Sequence, residues 1–127
     1  MRAILDTHAF LWAIAGDRRM SQKARDLFVG PNDLFLSIAS LWEILIKVQL
    51  GKLNVSRPAG PFVIRKLAEN RIGTLVIQLD HLLAFEGLPL HHRDPFDRML
   101  IAQALEEGLP IVTADPQFSR YPVEVIW

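Results

Sequence analysis

The sequence predicts an α/β protein, a three-layer α/β/α sandwich around a central, mainly parallel sheet. Three observations carry that expectation. Short apolar runs alternate along the chain with segments whose apolar residues recur at helical spacing. The runs Ala3-Ile4-Leu5, Leu34-Phe35-Leu36 and Ile111-Val112 are continuously apolar, as in strands covered on both faces. Asp6 and Asp115 stand just beyond two such runs, and open sheets of this kind bind their ligands outside the carboxyl ends of the strands.

Taken in order, Arg2–Leu5 reads as the first strand and Ala9–Ala15 as a helix stopped by Gly16. Ser21 suits the N-cap of a helix over Gln22–Val29, closed by Gly30-Pro31. Leu34–Ser37 follows as a buried strand. In Ala39–Leu50, residues Leu41, Ile44, Leu45 and Val48 share one helical face, and Gly51 is the stop. Arg57–Gly60 is marked as a loop by Pro and Gly, and Phe62–Asn70 suits a helix. Leu75–Leu79 reads as a strand from its β-branched content, and Asp80–Glu86 as a short helix before a loop over Gly87–Arg93. A helix bearing Asp97 then runs to Gly108, followed by a strand at Ile111–Thr113 and an edge strand at Val123–Trp127.

No repeat or linker divides the chain, and 127 residues suffice for one domain with its own core. Half of the residues are hydrophobic and 22% are charged, which argues against disorder. The absence of cysteine excludes disulfides and thiolate zinc sites and suits a cytoplasmic protein. No secretory signal is visible, and the longest apolar stretch, Ala9–Ala15, is far short of the roughly 20 residues of a membrane span. The 14 basic residues balance the 14 acidic ones, so a nucleic acid must be gripped by local patches or an ion rather than by bulk charge.

Asp97 is the residue least explained by folding. On the helical wheel it lies near the middle of the stripe formed by Leu100, Ile101, Ala104 and Leu105, where a carboxylate needs a counter-charge. Its neighbour Asp94 is accounted for as an N-cap before Pro95 at the first helical position. Asp6, Glu43 and Asp115 each have a structural reading beside a chemical one. Asp6 suits a helix cap, a task Thr7 is equally placed to perform. Glu43 fits a capping box with Ser40 and a surface pair with Lys47, and Asp115-Pro116 fits a cap followed by proline. If the four acids converge, two carboxylates about 5 Å apart repel by roughly 3 kcal/mol at an effective dielectric of 20. A divalent ion cancels that cost, and an all-oxygen donor set selects Mg²⁺ or Mn²⁺ over zinc. His91-His92 reads as a surface loop, because adjacent residues point apart. Trp12, Trp42 and Phe96 read as core packing rather than base-stacking groups.

Four blocks, Ile4-Leu5-Asp6-Thr7-His8, Ser40-Leu41-Trp42-Glu43-Ile44, Arg93-Asp94-Pro95-Phe96-Asp97-Arg98 and Val112-Thr113-Ala114-Asp115-Pro116, occur in order across nearly the whole chain. Together they resemble the PIN domain, and within it the VapC-type ribonuclease toxins of bacterial toxin–antitoxin modules. The resemblance implies a single PIN-like domain over residues 1–127. It also implies a metal-dependent endoribonuclease in which Asp6, Glu43, Asp97 and Asp115 surround Mg²⁺ or Mn²⁺ and Thr7 and Thr113 orient them. A homodimer and a small cognate antitoxin covering the active site are further implications. The expected chemistry is hydrolysis of an RNA phosphodiester, with Lys47, Lys52, Arg65, Lys66, Arg71, Arg93 and Arg98 as basic candidates for the backbone and Arg98 foremost. Two rivals are a DNA-directed nuclease and a degenerate interaction module, which would have lost an acid. A phosphoacceptor domain is disfavoured because Asp6 is single and no lysine follows Lys66.

Overall fold

A computed structural model describes all of residues 1–127. Its elements are β1 (Arg2–Leu5), α1 (Thr7–Ala15), α2 (Gln22–Val29), β2 (Asp33–Ser37), α3 (Ile38–Gln49), α4 (Ala59–Glu69), β3 (Gly73–Leu75), α5 (Leu79–Glu86), α6 (Pro95–Glu107), β4 (Ile111–Val112), a 3₁₀ turn at Pro116–Arg120 and β5 (Val125–Ile126). The five strands form one sheet in the order β3-β2-β1-β4-β5, and every neighbouring pair is parallel. The earliest strand is thus the central one, with Ile4 paired to Phe35 on one side and Ile111 on the other.

The pleat of β1 divides the protein into two apolar layers. Ala3 and Leu5 face one side with Leu34 and Leu36, beneath Phe10, Ile44, Val48, Val63 and Leu67 from α1, α3 and α4. Ile4 faces the other with Ile111, beneath Leu100, Ile101 and Ala104 of α6 and Phe118 and Tyr121. Helix α5 packs on the outside of α6, so the run Arg98–Ala104 is buried without a break. Leu105, placed in the buried stripe by the wheel, is instead 38% exposed at the trailing edge of that helix.

Local chemistry accounts for most boundaries. Gly16 and Gly108 end α1 and α6 in the left-handed conformation, at φ 63° and 66°. Helix α1 begins two residues earlier than expected because Asp6 itself accepts from the Ala9 N–H. Helix α4 takes in Ala59 and Gly60, the second half of the expected loop, and holds Pro61 in its first turn, where the missing proline N–H leaves no bond unmade. The third strand is Gly73–Leu75 rather than Leu75–Leu79; Leu75 pairs with Ser37 at its end, and Val76 and Leu79 lie beyond the sheet, both exposed. The last strand is shorter than expected, and the cap-and-proline reading of Asp115-Pro116 corresponds to a 3₁₀ turn over Pro116–Arg120. No helix is long and apolar enough to cross a membrane.

Candidate functional site

β1 and β4 run in register, Leu5 opposite Val112, so the residues that follow them meet at one edge of the sheet. There the buried Thr113 hydroxyl donates to Asp6 Oδ2, while Oδ1 accepts from the Ala9 N–H at 2.6 Å. Asp6, not Thr7, is therefore the helix cap. The same Thr113 oxygen accepts from the Asp115 N–H at 3.0 Å, and Asp115 Oδ1 accepts from the Gln117 N–H at 2.9 Å. Asp115 caps the 3₁₀ turn with one oxygen and has no protein donor on the other.

Thr7, freed from capping, donates its hydroxyl to Glu43 Oε1 at 2.7 Å, and Lys47 Nζ lies 2.7 Å from Glu43 Oε2. The pair with Lys47 is thus formed, but not at the surface, because Glu43 is only 4% exposed. The capping-box reading fails: Ser37 caps α3 through the Ala39 N–H, and the Ser40 hydroxyl is buried without a partner.

Asp97 stands in the first turn of α6 behind the Asp94 cap, which accepts from the N–H groups of Phe96 and Asp97. Its side chain is 21% exposed and its Oδ2 lies 3.3 Å from His92 Nε2. Burial first, and then the charges of Asp94, Asp115, Glu43 and Asp6, push its carboxyl up to about 8. Asp6 is also raised, chiefly by burial and slightly by Asp115, against the opposing bonds from Thr113 and Ala9. The four acids therefore occupy one electrostatic neighbourhood at the carboxyl end of the sheet.

A groove of about 340 Å³ opens beside Asp6 and Asp115, with His8, Trp12, Arg19, Ala114 and Pro116 completing its walls. Arg19 lies over the Trp12 ring at 4.7 Å and pairs with Asp17 at 2.7 Å. No three histidine or acidic side chains close on a single point in the manner of a finished metal cage. That arrangement nonetheless suits Mg²⁺ or Mn²⁺, since magnesium keeps several waters and is ordinarily held by only one or two carboxylates. The donors are anionic oxygens, and Asp97 Oδ1 and Asp115 Oδ2 have no hydrogen-bond partner in the protein.

Several residues stand apart from their expected roles. Arg98 is 8% exposed, with its guanidinium over Phe85 at 4.8 Å and bonded to the Leu88 carbonyl. It is buried beneath α5 rather than exposed like most of the other basic candidates. Lys52, Arg65, Arg71 and Arg93 are exposed, and Lys66 is half-buried and pairs with Glu69. Trp42 is 59% exposed, edge-on to Phe96 at 5.5 Å, so it is not a core residue. Tyr121 was not singled out, and His92 was read only as part of a surface loop. His92 differs from its exposed neighbour His91 in that its Nδ1 lies 2.8 Å from the Tyr121 hydroxyl. The only signal in the sequence was its position five residues before Asp97.

The family model described as PIN domain matches residues 3–124. No curated protein matches the chain significantly. Among solved structures, the chain is similar to one in VapBC2 from Rickettsia felis bound to a DNA fragment from their promoter, at 18% identity and TM-score 0.72, covering 100% of this chain and 99% of that one. It is similar to one in FitAcB from Neisseria gonorrhoeae at 16% identity and TM-score 0.68, covering 100% and 97%. A third, in VapBC-5 of the VapBC family of toxin-antitoxin systems from Mycobacterium tuberculosis, shares 19% identity with TM-score 0.65 over 98% and 97%. At these identities the likeness is one of fold.

Proposed function

The chain belongs to the PIN domain family, and from that premise we propose that it is a metal-dependent endoribonuclease, a single PIN-like domain acting as the toxin of a toxin–antitoxin pair. One observation supports the reading: the Asp97 carboxyl is held near 8 by burial first and then by the charges of Asp94, Asp115, Glu43 and Asp6, so acids from four separate blocks share one rim. Asp6, Glu43, Asp97 and Asp115 are its proposed ligand and catalytic set, and Mg²⁺ or Mn²⁺ its ion. The similarity to chains of VapBC and FitAcB structures supports an antitoxin partner. The exposed apolar side chains of α5, Leu79, Leu82 and Leu83, support a homodimer. The proposed location is the cytoplasm.

When bound, the ion supplies charge to the scissile phosphate and a nucleophile at neutral pH. The protein's part is to hold and aim. Thr113 and the first turn of α1 fix both oxygens of Asp6, and Thr7 with Lys47 fix both oxygens of Glu43. Asp97 and Asp115 each keep an oxygen for a ligand or for the attacking water. Glu43 or Asp115 orients that water and accepts its proton. The water oxygen joins phosphorus as the bond to the 3′ oxygen breaks, and a proton passes to that oxygen. The products are a 5′ phosphate and a 3′ hydroxyl.

The test is cleavage of end-labelled single-stranded RNA and DNA by the purified chain with Mg²⁺, Mn²⁺ or EDTA. RNA cleavage with either ion, abolished by EDTA and lowered at least 100-fold by Asp6→Asn or Asp97→Asn, is the expected result. Cutting of DNA alone moves the chain to the rival nuclease class. Unchanged cleavage by both variants refutes the site.

A further inference from the structure

We propose that Tyr121 and His92 are positioning residues for Asp97: the buried Tyr121 hydroxyl decides which ring nitrogen of His92 carries the hydrogen, so that the imidazole aims an N–H at the Asp97 carboxylate. The inference rests on the metal-dependent reading of the rim and deepens it.

Tyr121 is 4% exposed and sits among the apolar residues beneath α6. His91 and His92 both meet its ring edge-on, at 4.9 and 5.4 Å. Its hydroxyl has two neighbours, both from His92: the backbone N–H at 3.3 Å and Nδ1 at 2.8 Å. The backbone N–H is necessarily a donor, so the hydroxyl accepts there. The hydroxyl's own single hydrogen has Nδ1 as its only protein acceptor. Nδ1 is then the lone-pair nitrogen and Nε2 bears the hydrogen, 3.3 Å from Asp97 Oδ2. With the hydrogen on Nδ1 instead, the hydroxyl hydrogen has no partner, and an imidazole lone pair faces Asp97 in the ionised form it takes when it holds a cation. That arrangement is disfavoured twice.

The geometry also links two acids. Asp115 caps the 3₁₀ turn at one end and Tyr121 stands at its other end. A single short segment thus places Asp115 directly and Asp97 through the imidazole. Oriented carboxylate ligands bind their ion more tightly because the order is supplied before the ion arrives, and loss of such an outer partner typically weakens metal affinity 10–100-fold.

The experiment is calorimetric titration of the full chain with Mn²⁺, in the unmodified protein and in Tyr121→Phe, His92→Ala and His92→Gln, with melting of each in EDTA. Tyr121→Phe keeps the buried ring, so its EDTA midpoint should fall within about 4 °C of the unmodified protein. Tyr121→Phe and His92→Ala are expected to bind Mn²⁺ about 10–100-fold more weakly. His92→Gln, whose amide N–H reaches near the Nε2 position, is expected to recover most of the loss. Unchanged affinity in Tyr121→Phe and His92→Ala overturns the inference and leaves the metal site standing. Equal weakening in His92→Gln and His92→Ala overturns the donor role. No Mn²⁺ binding by the unmodified protein overturns the proposed function and this inference together.

Discussion

Asp97→Asn should make the ion-free protein more stable at pH 8 while abolishing its response to metal. In the folded chain the Asp97 carboxyl is held near 8, against an ordinary value of 3.8. Below about pH 4 it is protonated in both folded and unfolded states and contributes nothing. Between about 4 and 8 the unfolded chain releases this proton and the folded chain keeps it, so stability falls as pH rises. Above 8 the full penalty is present. Four units at 1.36 kcal/mol each set a ceiling on the order of 5 kcal/mol. A fifth of the side chain touches solvent, and asparagine forfeits a first-turn charge worth about 0.3–1 kcal/mol, which leaves roughly 2–4 kcal/mol to be measured. Asparagine preserves the size and keeps an oxygen that accepts from His92 Nε2, so the comparison isolates the charge. Urea unfolding in EDTA should show the variant more stable by that amount at pH 8 and nearly equal at pH 4.5. With Mn²⁺ at about 100 times its Kd, the unmodified protein should gain about 2.7 kcal/mol and the variant little. A variant no more stable than its parent at pH 8 in EDTA would falsify the claim that crowded negative charge strains this rim.

The remaining predictions concern stability and use the same unfolding measurement. Lys47→Met strips the partner from Glu43 Oε2 and should cost about 1–2 kcal/mol in EDTA, reduced from a fully buried case because Lys47 is partly solvated; no loss means the pair is screened. Asp94→Ala removes the α6 cap and should cost about 1 kcal/mol at pH 6. The cost should shrink above pH 8, where losing the Asp94 charge relieves an ionised Asp97; a cost that grows with pH contradicts the assigned repulsion. Gly108→Ala forces alanine to φ 66° and should cost about 1–2 kcal/mol. By contrast, Gly60→Ala meets only Leu45 at 3.9 Å in a helical turn and should be neutral or stabilising by up to about 1 kcal/mol. A reversal of that order refutes the backbone argument.

What was legible in the chain was whatever local chemistry specifies. Continuous apolar runs marked β1, β2 and β4, and Gly16 and Gly108 marked helix ends, because strand burial and left-handed caps leave short-range signatures. Asp94 was recognisable as a cap for the same reason. The edge strand β3 was displaced because Leu75–Leu79 has β-branched content but pairing stops where β2 ends at Ser37. Long-range facts were harder to read. A helical wheel could not tell that α5 would cover α6 and leave no polar face, which is why Arg98 looked available for RNA. Nor could it tell that Glu43, correctly paired with Lys47, would be buried, since only the packing of α3 against α1 brings Thr7 to it. The link from Tyr121 to His92 spans 29 positions and has no sequence period at all. Convergence of the acids was anticipated from strand ends for Asp6 and Asp115, but for Glu43 it rested on resemblance alone.

The central place of β1 has a consequence for how this protein comes into being on the ribosome. Of the five strands of this sheet β1 is made before the others; it pairs on one side with β2 soon afterwards, but its other flank stays open until β4, more than a hundred residues later, is synthesised. Thr113, which anchors Asp6, and Asp115 arrive only after that. A nascent chain stalled or clipped before residue 111 carries three of the four acids yet lacks the strand that completes their alignment. An incomplete copy therefore lacks the Thr113 hydroxyl that holds Asp6 and the whole of Asp115.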